Sequence, residues 1–209
     1  MELELKLKKA LEELRKNEEK KFDQTVDLIV NLQKFDIKRN SLNIFTQVPH
    51  KIKNLRVCGF LEAKNNNVET ILESEFKKYA DKKKIKKLAK QFDFFIAQAS
   101  LMPKVATTFG KNLGPLGKMP SPQLGIVTNT DERIIKELLE KINKSVKLRT
   151  KEPSIKIAVG KQSMPDEHII DNITTIYNSL LKSLPRQKEN IRNLGIKFTM
   201  TKPQKIAIR

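Results

Sequence analysis

The side chains that could perform acid–base or nucleophilic chemistry are few in this chain, and their spacing does not assemble an active site. Asp23 and Asp27 stand four positions apart in a strand-like stretch, where their carboxylates would share one face. Lysines surround them, so ion pairing is the expected role. His168 falls in the first turn of a predicted helix, where a surface or structural role is expected, and Cys58 lies in an apolar run and is expected in the core. We therefore predict that the protein is not an enzyme.

A metal centre is not expected either. The 209 residues include one cysteine and two histidines, His50 and His168, which cannot supply the full Cys and His ligand set of a structural zinc ion. A lone cysteine also cannot form an internal disulfide. We predict no metal and no other cofactor.

A glycine- and proline-rich stretch, Gly110 to Pro122, reads GKNLGPLGKMPSP and is predicted to be a shaped loop. Its backbone N–H groups, flanked by Lys111 and Lys118, could surround a phosphate. The spacing from Gly114 to Gly117 does not fit the G-x-x-x-x-G-K-[ST] pattern of a nucleotide P-loop, which argues against nucleotide hydrolysis. Two interpretations stay open: a GxxG clamp on RNA and a structural turn.

Lysines dominate the segment from Lys77 to Lys90, which contains eight of them. The whole chain carries 42 Lys and Arg against 24 Asp and Glu, a formal net charge of +18 at pH 7. Such a run is commonly a solvated helix face, but the overall excess favours a polyanion partner whose counterions the lysines displace. Because aromatic residues make up 6% and tryptophan is absent, phosphate contacts should outweigh base stacking.

Hydrophobic residues make up 38% of the chain and are spread along it, which predicts a packed core. No apolar run approaches the roughly 18 residues of a membrane helix. The first residues, MELELKLKKALEELRK, alternate charge with leucine and do not resemble a secretory signal. We predict a cytoplasmic protein without a membrane partner.

Hydrophobic periodicity predicts the elements that must position these side chains. The predicted elements are a helix over 3–16, strands over 26–32, 42–48 and 55–60, helices over 67–78 and 82–91, a strand over 94–99, a helix over 131–143, strands over 146–148 and 155–159, a helix from 165 to 185, and strand alternation between 195 and 209. Both ends alternate like half-buried strands, whereas the middle has the helix–strand order of a parallel α/β sheet. The fold class is therefore α+β with an α/β insertion. The predicted hinges lie near 52 and 146, which gives an outer domain of residues 1–52 and 146–209 and an inserted domain of residues 53–145.

Three strings occur in an order that resembles one family. They are KFDQTVDLIVNL at 21–32, FFIAQASLMPKVATTFGKNLGPLGKMPSP at 94–122, and KFTMTKPQKI at 197–206. The chain resembles the family of ribosomal protein one of the large subunit, which forms the mobile stalk beside the tRNA exit site, in its archaeal form. The long middle string carries most of the specificity, through its Met-Pro, Gly-Pro-x-Gly-Lys and Pro-x-Pro elements.

The resemblance implies a discontinuous α+β domain of split βαβ type, built from both chain ends, with an inserted Rossmann-like α/β domain. It also implies a structural protein that is monomeric when free, binds large-subunit rRNA at the stalk, contacts the exit-site tRNA and assists release of deacylated tRNA. Members of the family commonly repress translation of their own mRNA, so this mRNA is a further expected partner.

The same resemblance assigns the RNA-binding residues. The family's Lys-Phe-x-x-Thr and Thr-Met elements, with their neighbours, fall on Lys21, Phe22, Thr25, Lys197, Thr199, Met200, Thr201 and Lys205. Threonine hydroxyls suit ribose and phosphate oxygens, Phe and Met suit sugar faces, and lysine adds charge. The alternative is that Phe22 and Met200 belong to the core. The family has Gly where this chain has Thr201, so a positive φ or a very close RNA approach there would be poorly served.

Two rival functions remain at this point. One is an RNA-processing enzyme whose insertion binds a nucleotide, which the missing P-loop and the missing acid–base groups disfavour. The other is a non-ribosomal RNA chaperone or a dedicated repressor of a messenger.

Overall fold

The computed structural model describes residues 2–16, 21–37, 40, 42–79, 81–150 and 152–207, so the predicted alternation at 208–209 lies outside the described residues. The α-helices are α1 (Glu2–Arg15), α2 (Lys82–Gln91), α3 (Met102–Leu116), α4 (Glu132–Asn143) and α5 (Asp166–Ser183). The strands are β1 (Thr25–Leu32), β2 (Asn43–Gln47), β3 (Val57–Phe60), β4 (Glu69–Ile71), β5 (Phe94–Gln98), β6 (Ile126–Val127), β7 (Ser145–Arg149), β8 (Ser154–Lys161), β9 (Ile191–Phe198) and β10 (Gln204–Ile206). Short 3-10 helices cover Glu73–Tyr79, Ala99–Leu101 and Gln187–Asn190. The predicted mixture of helices and strands is confirmed.

Packing divides the chain into two compact units. The first contains Met1–Lys53 and Lys144–Arg209, and the second contains Asn54–Asn143. The sequence predicts hinges near 52 and 146. Each unit has its own sheets and its own buried apolar residues, and each is described separately below.

The first unit is organised around a four-stranded sheet in the order β10-β9-β1-β8, with every neighbouring pair antiparallel. Strands β8 and β9 both run antiparallel to β1 and lie on either side of it. The connection from β8 through α5 to β9 therefore passes over β1. Alternate residues of β1, from Val26 to Leu32, are fully or nearly buried. Helices α1 and α5 contribute apolar stripes to the same core. The period-two pattern of β1 and the helical spacing of α5 were both predicted correctly.

A separate two-stranded ribbon, β2 with β7, lies where the chain leaves and re-enters the first unit. The Val48 N–H donates to the Lys144 carbonyl at 2.7 Å, which holds the two connections side by side. Asn172, fully buried on α5, bonds both the backbone N–H and the carbonyl of His50 at 3.0 Å. The outgoing chain is therefore fixed to α5.

The second unit contains a parallel sheet in the order β4-β3-β5-β6. The residues of β3 and the centre of β5 are buried on both faces, as is typical of a parallel sheet covered by helices. One side of the core is aromatic, with Phe60, Phe76 and Phe109 in mutual ring contact. The sequence predicts this buried strand pair, but it misses the short β6.

The helix predicted over 67–78 is wrong. Residues Glu69–Ile71 form β4, which pairs in parallel with β3, and Glu73–Tyr79 form a 3-10 helix. Apolar residues at helical spacing drew the prediction, but the β-branched Thr70 and Ile71 suit an edge strand, and pairing with β3 satisfies its backbone. The neighbouring prediction of a helix over 82–91 is confirmed by α2.

The loop predicted over Gly110–Pro122 is also largely wrong, because α3 continues to Leu116. Its buried stripe of Val105, Phe109 and Leu113 repeats every four residues and holds the helix on the core. An added Cβ at Gly110 or Gly114 would meet nothing within 4 Å, so the backbone does not need glycine there. Gly117 does, because its φ of 71° ends α3 in the left-handed region. The structural-turn interpretation of Gly114–Gly117 thus describes a helix C-terminus.

Candidate nucleic-acid interface

Residues from the two ends of the chain meet where β1 begins and β9 ends. The sheet register places Val26 opposite Phe198, so Thr25 and Thr199 are adjacent just beyond that pair. The Thr25 N–H donates to the Thr199 hydroxyl oxygen at 3.1 Å, and that hydroxyl lies 3.4 Å from the Thr25 carbonyl. We call this end of the sheet, with Lys21, Phe22, Thr25, Thr199, Met200 and Thr201, the β1–β9 corner.

Two large apolar side chains of the corner are exposed. Phe22 is 51% exposed and Met200 is 65% exposed, so the alternative that they belong to the core is wrong. Strand alternation alone would put Met200 on the buried side with Phe198. The chain instead turns directly after Phe198, whose carbonyl accepts the Thr201 N–H at 3.2 Å. This turn moves the methionine out of the strand and presents it to solvent.

Sequence reasoning missed the residue that supports this turn, Gln24, which is only 1% exposed. Its Oε1 accepts the Met200 N–H at 3.0 Å, and its Nε2 donates to Gln162 Oε1 at 3.2 Å. The Gln162 N–H in turn donates to the Gln24 carbonyl at 2.8 Å. The signal was present in the sequence: extending the alternation of β1 back from Val26 places a polar side chain at an inward position.

A second set of bonds fixes the loop between β8 and α5 beneath the corner. The Asp23 carboxylate accepts from the backbone N–H and the hydroxyl of Ser163, both at 3.0 Å. Arg15, in the last turn of α1, donates to the carbonyls of Gln162 and Met164 at 3.0 Å and forms an ion pair with Asp166. The corner therefore lies on a bonded frame that extends back to α1.

Thr201 does not impair this geometry. Among the described residues, the non-glycine positions with positive φ are Lys34 and Gln187, so Thr201 has no conformation that demands glycine. Its hydroxyl accepts the Phe198 N–H at 2.9 Å, at the point where β9 ends. The positive φ that a missing family glycine could have required is therefore absent, and threonine makes here the side-chain turn that it commonly makes. A close approach of RNA at Thr201 stays a prediction.

Replacing Thr201 by valine is expected to lower the free energy of unfolding by about 1 kcal/mol, because the Phe198 N–H loses its acceptor without a change in side-chain shape. Urea denaturation measures this difference. Thr201→Ser keeps the hydroxyl and is the matched control, with a midpoint close to that of the parent chain. Equal midpoints for the valine and serine variants would contradict the role given to this hydroxyl.

The predicted lysines are spread over a longer part of the sheet than the exposed apolar residues. Lys197 lies opposite Asp27 in the register, and burial raises the pKa of the Asp27 carboxyl, whereas the charge of Lys197 acts in the opposite direction. Lys205 of β10 pairs with Gly195 of β9, so this lysine lies farther along the sheet. Lys21 is exposed beside Phe22. Of the eight predicted residues, six form the corner, Lys197 lies next to it on β9, and Lys205 lies farther along the sheet on β10.

The other chemical candidates have structural roles. His50 and His168 stack at 3.7 Å, and His50 Nε2 lies 3.1 Å from Asp171. Cys58 is fully buried, and burial raises the pKa of its thiol to about 12. Lys118 donates to the Ala89 and Phe92 carbonyls, both at 2.7 Å, so the phosphate role considered for it is wrong. Within the described ranges, no group of His, Cys, Asp and Glu could hold a metal ion, and no helix there could cross a membrane.

With this geometry established, comparison with known proteins identifies the chain. The model of the ribosomal protein L1p/L10e family matches residues 14–202. The chain belongs to the ribosomal protein L1p/L10e family. It is 36% identical to the large ribosomal subunit protein uL1 of Thermofilum pendens over 98% of the chain and 92% of the relative. For the uL1 of Nanoarchaeum equitans the identity is 32%, over 89% of the chain and 92% of the relative.

These archaeal relatives confirm the resemblance seen in the three strings, and this L1p/L10e-family member is a ribosomal protein of the large subunit and not an enzyme. The family match includes both ends of the β1–β9 corner. The assignment of RNA contacts to individual residues there stays a prediction.

Proposed function

We propose that this protein binds large-subunit rRNA at the mobile stalk near the tRNA exit site, and that the β1–β9 corner is its principal contact. The observation that carries the proposal is the exposure of Phe22, two residues before the buried Gln24, and of Met200, whose N–H donates to that glutamine. Exposed apolar side chains next to threonine hydroxyls and lysines suit a folded RNA, whose ribose faces and 2′-hydroxyls lie side by side.

The corner suits recognition of RNA shape better than recognition of bases. Phe22 and Met200 are placed to cover sugar faces or an unstacked base, while Lys21 and Lys197 add phosphate contacts. The Thr199 hydroxyl already bonds the Thr25 backbone. Its remaining lone pair can accept from a ribose hydroxyl. The bonds between the two threonines hold the backbone next to Met200 in place before RNA arrives, which reduces the entropy lost on binding.

The two compact units support a division of labour. We infer that the first unit is the discontinuous α+β domain that binds rRNA and that the second is the inserted Rossmann-like domain. All eight predicted RNA-binding residues lie in the first unit. The second unit supplies a parallel sheet without any of them.

Contact with exit-site tRNA, help in release of deacylated tRNA and repression of the protein's own mRNA are further parts of the proposal. A corner that recognises RNA shape would accept a messenger that folds like the stalk rRNA, so rRNA and mRNA would compete for it. Competition between the two RNAs in a binding assay measures this directly. Simultaneous binding of both to one protein molecule would rule out a shared site.

Replacing residues 54–143 by a short Gly/Ser linker should leave a folded first unit that keeps most of its affinity for stalk rRNA. The Val48–Lys144 hydrogen bond places the two connections close enough for a short linker. Circular dichroism checks the fold, and filter binding measures the affinity. A folded variant that lost more than about 3 kcal/mol of binding, roughly two hundredfold, would contradict the assignment to the first unit.

Co-sedimentation of the full chain with large subunits after a high-salt wash tests the ribosomal role itself. Retention is expected, because folded rRNA contacts add to phosphate contacts that salt alone would weaken. A free RNA chaperone or a dedicated messenger repressor would be washed off. Met200→Ala serves as the control chain and should be released at lower salt than the parent.

A further inference from the structure

Helix α2 of the second unit carries a charge pattern that the proposed rRNA contact does not use. Six of its ten residues are lysine and none is acidic. Ile85, Leu88 and Ala89 are buried on one side. The helical angle of 100° per residue therefore places most of the lysines on the opposite side. We call these side chains, Lys82, Lys83, Lys84, Lys86, Lys87 and Lys90, the lysine ridge.

A cleft lies along each side of the ridge. The first, of about 500 Å³, separates α2 from α3 and has Lys86, Lys90 and Lys111 on its walls, with Leu116 and Pro115 contributing apolar surface. The second, of about 320 Å³, includes Lys84, Lys87 and Tyr79, together with Lys78, which is ion-paired with Glu75 at 3.2 Å. Among the described residues, none that lines either cleft is acidic. The positive charge thus continues from one cleft over the ridge into the other.

The first cleft is held in shape by the protein itself. Lys118 donates to the carbonyls of Ala89 and Phe92 at 2.7 Å and so joins the loop after α3 to the C-terminal end of α2. Gly117, in the left-handed region, directs the chain into this contact. Leu116 is left 53% exposed beside the lysines. A ligand would therefore meet a preformed wall.

The extent of the charge favours a nucleic acid over an acidic peptide. Lysines four residues apart on α2 are about 6 Å apart along the helix axis, so the ridge repeats its charge over most of the helix. A nucleic acid strand also repeats its charge, about one phosphate per 3.4 Å of axis. An acidic peptide would place its apolar side chains on the apolar surface of the clefts, at Leu116 in the first and Tyr79 in the second, and would leave the ridge between them without a role.

We propose that the lysine ridge and its two clefts form a second RNA-binding surface, which holds the phosphate–ribose backbone of structured RNA without selecting its sequence. This surface is separate from the β1–β9 corner, which lies in the other compact unit. It adds affinity for any RNA duplex that reaches it. Discrimination between RNAs is left to the corner.

The test compares two triple variants of the full chain that lose the same charge within the same unit. One is Lys83→Gln/Lys86→Gln/Lys87→Gln on the ridge, and the other is Arg133→Gln/Lys136→Gln/Lys141→Gln on α4. Affinity for a stalk rRNA fragment and for a random-sequence RNA duplex is measured between 50 and 300 mM salt. Melting temperatures verify that both variants are folded.

In the ridge variant, the slope of log affinity against log salt should become less steep by about 2 for both RNAs. Each lost phosphate contact reduces the slope by roughly 0.7 to 0.9. Its affinity for the random duplex should fall about tenfold or more at 100 mM salt, while the ratio between the two RNAs stays the same. Lys111→Gln, on the α3 wall of the first cleft, should remove about one further contact. The α4 variant should keep the parent slope.

An equal reduction of the slope in the ridge and α4 variants would show that net charge alone acts, and the parent slope in both would show that the ridge makes no phosphate contact. Either result would overturn the proposal. An unchanged RNA slope together with lost binding of a leucine-containing polyglutamate peptide would assign the surface to a protein partner, which also overturns it. These failures are distinguishable from failure of the corner. A defective corner changes the ratio between stalk rRNA and random RNA and leaves the salt slope nearly constant.

Discussion

Met200→Ala is expected to weaken binding to stalk rRNA by tenfold or more and to leave the melting temperature unchanged. Burying a methionine side chain contributes about 1.5–3 kcal/mol, and Met200, which is 65% exposed, would gain that burial only when RNA covers it. Phe22→Ala should behave in the same way. Isothermal titration with the rRNA fragment and thermal unfolding by circular dichroism measure the two quantities on the same samples.

Phe198→Ala is the matched control for this prediction, because it lies two residues away on the same segment and is only 1% exposed. Truncation there should cost about 3–5 kcal/mol of folding stability, as for other buried aromatic residues. The two variants thus separate an RNA contact from a core contact. Parent-like affinity of Met200→Ala for the rRNA fragment, combined with a lowered melting temperature, would contradict the proposed site.

Gln24→Met should affect both stability and binding. The substitution keeps a long side chain but leaves the Met200 N–H and Gln162 Oε1 without their partner. Each orphaned group costs about 1–3 kcal/mol if it stays buried. RNA affinity should fall as well, because the turn that presents Met200 is no longer anchored.

Gln24→Glu provides the control, since its carboxylate can still accept the Met200 N–H. It is expected to lose stability by removing the donor to Gln162, but to retain more RNA affinity than the methionine variant. Denaturant unfolding and the same titration compare the three chains. Affinity equal to that of the parent in Gln24→Met would remove Gln24 from the site.

Periodicity was a good guide where a side-chain pattern had only one way to be buried. The alternation of β1 and the spacing of α2 and α5 each match a single period, and each element is found as predicted. Periodicity failed for β4, because a short apolar run is compatible with a strand or a helix, and only the pairing with β3 decides for the strand. Glycine and proline content misled at Gly110 and Gly114, because the burial of Phe109 and Leu113 stabilises α3 in spite of its glycines.

The sequence predicted the residues of the candidate site but not the hydrogen bonds that hold them together. Resemblance to the family pointed to Phe22 and Met200, yet no local pattern indicates that Thr25 bonds Thr199, 174 positions away. The buried Gln24 could have been found by following the strand alternation one step further. The turn at Thr201 could not have been predicted from the sequence, because it depends on the position at which β9 stops pairing with its neighbour in the sheet.

The central position of β1 has a consequence for the order in which the molecule is made. During synthesis from the N-terminus, residues 54–143 form a continuous segment that can fold as soon as it has emerged, since domains generally fold as units. β1 must wait, because its partners β8 and β9 are synthesised much later. A nascent chain that stalls before Ile191 therefore has its lysine ridge but no β1–β9 corner. If the corner selects RNA as proposed, that selection can begin only when translation of the chain is almost finished.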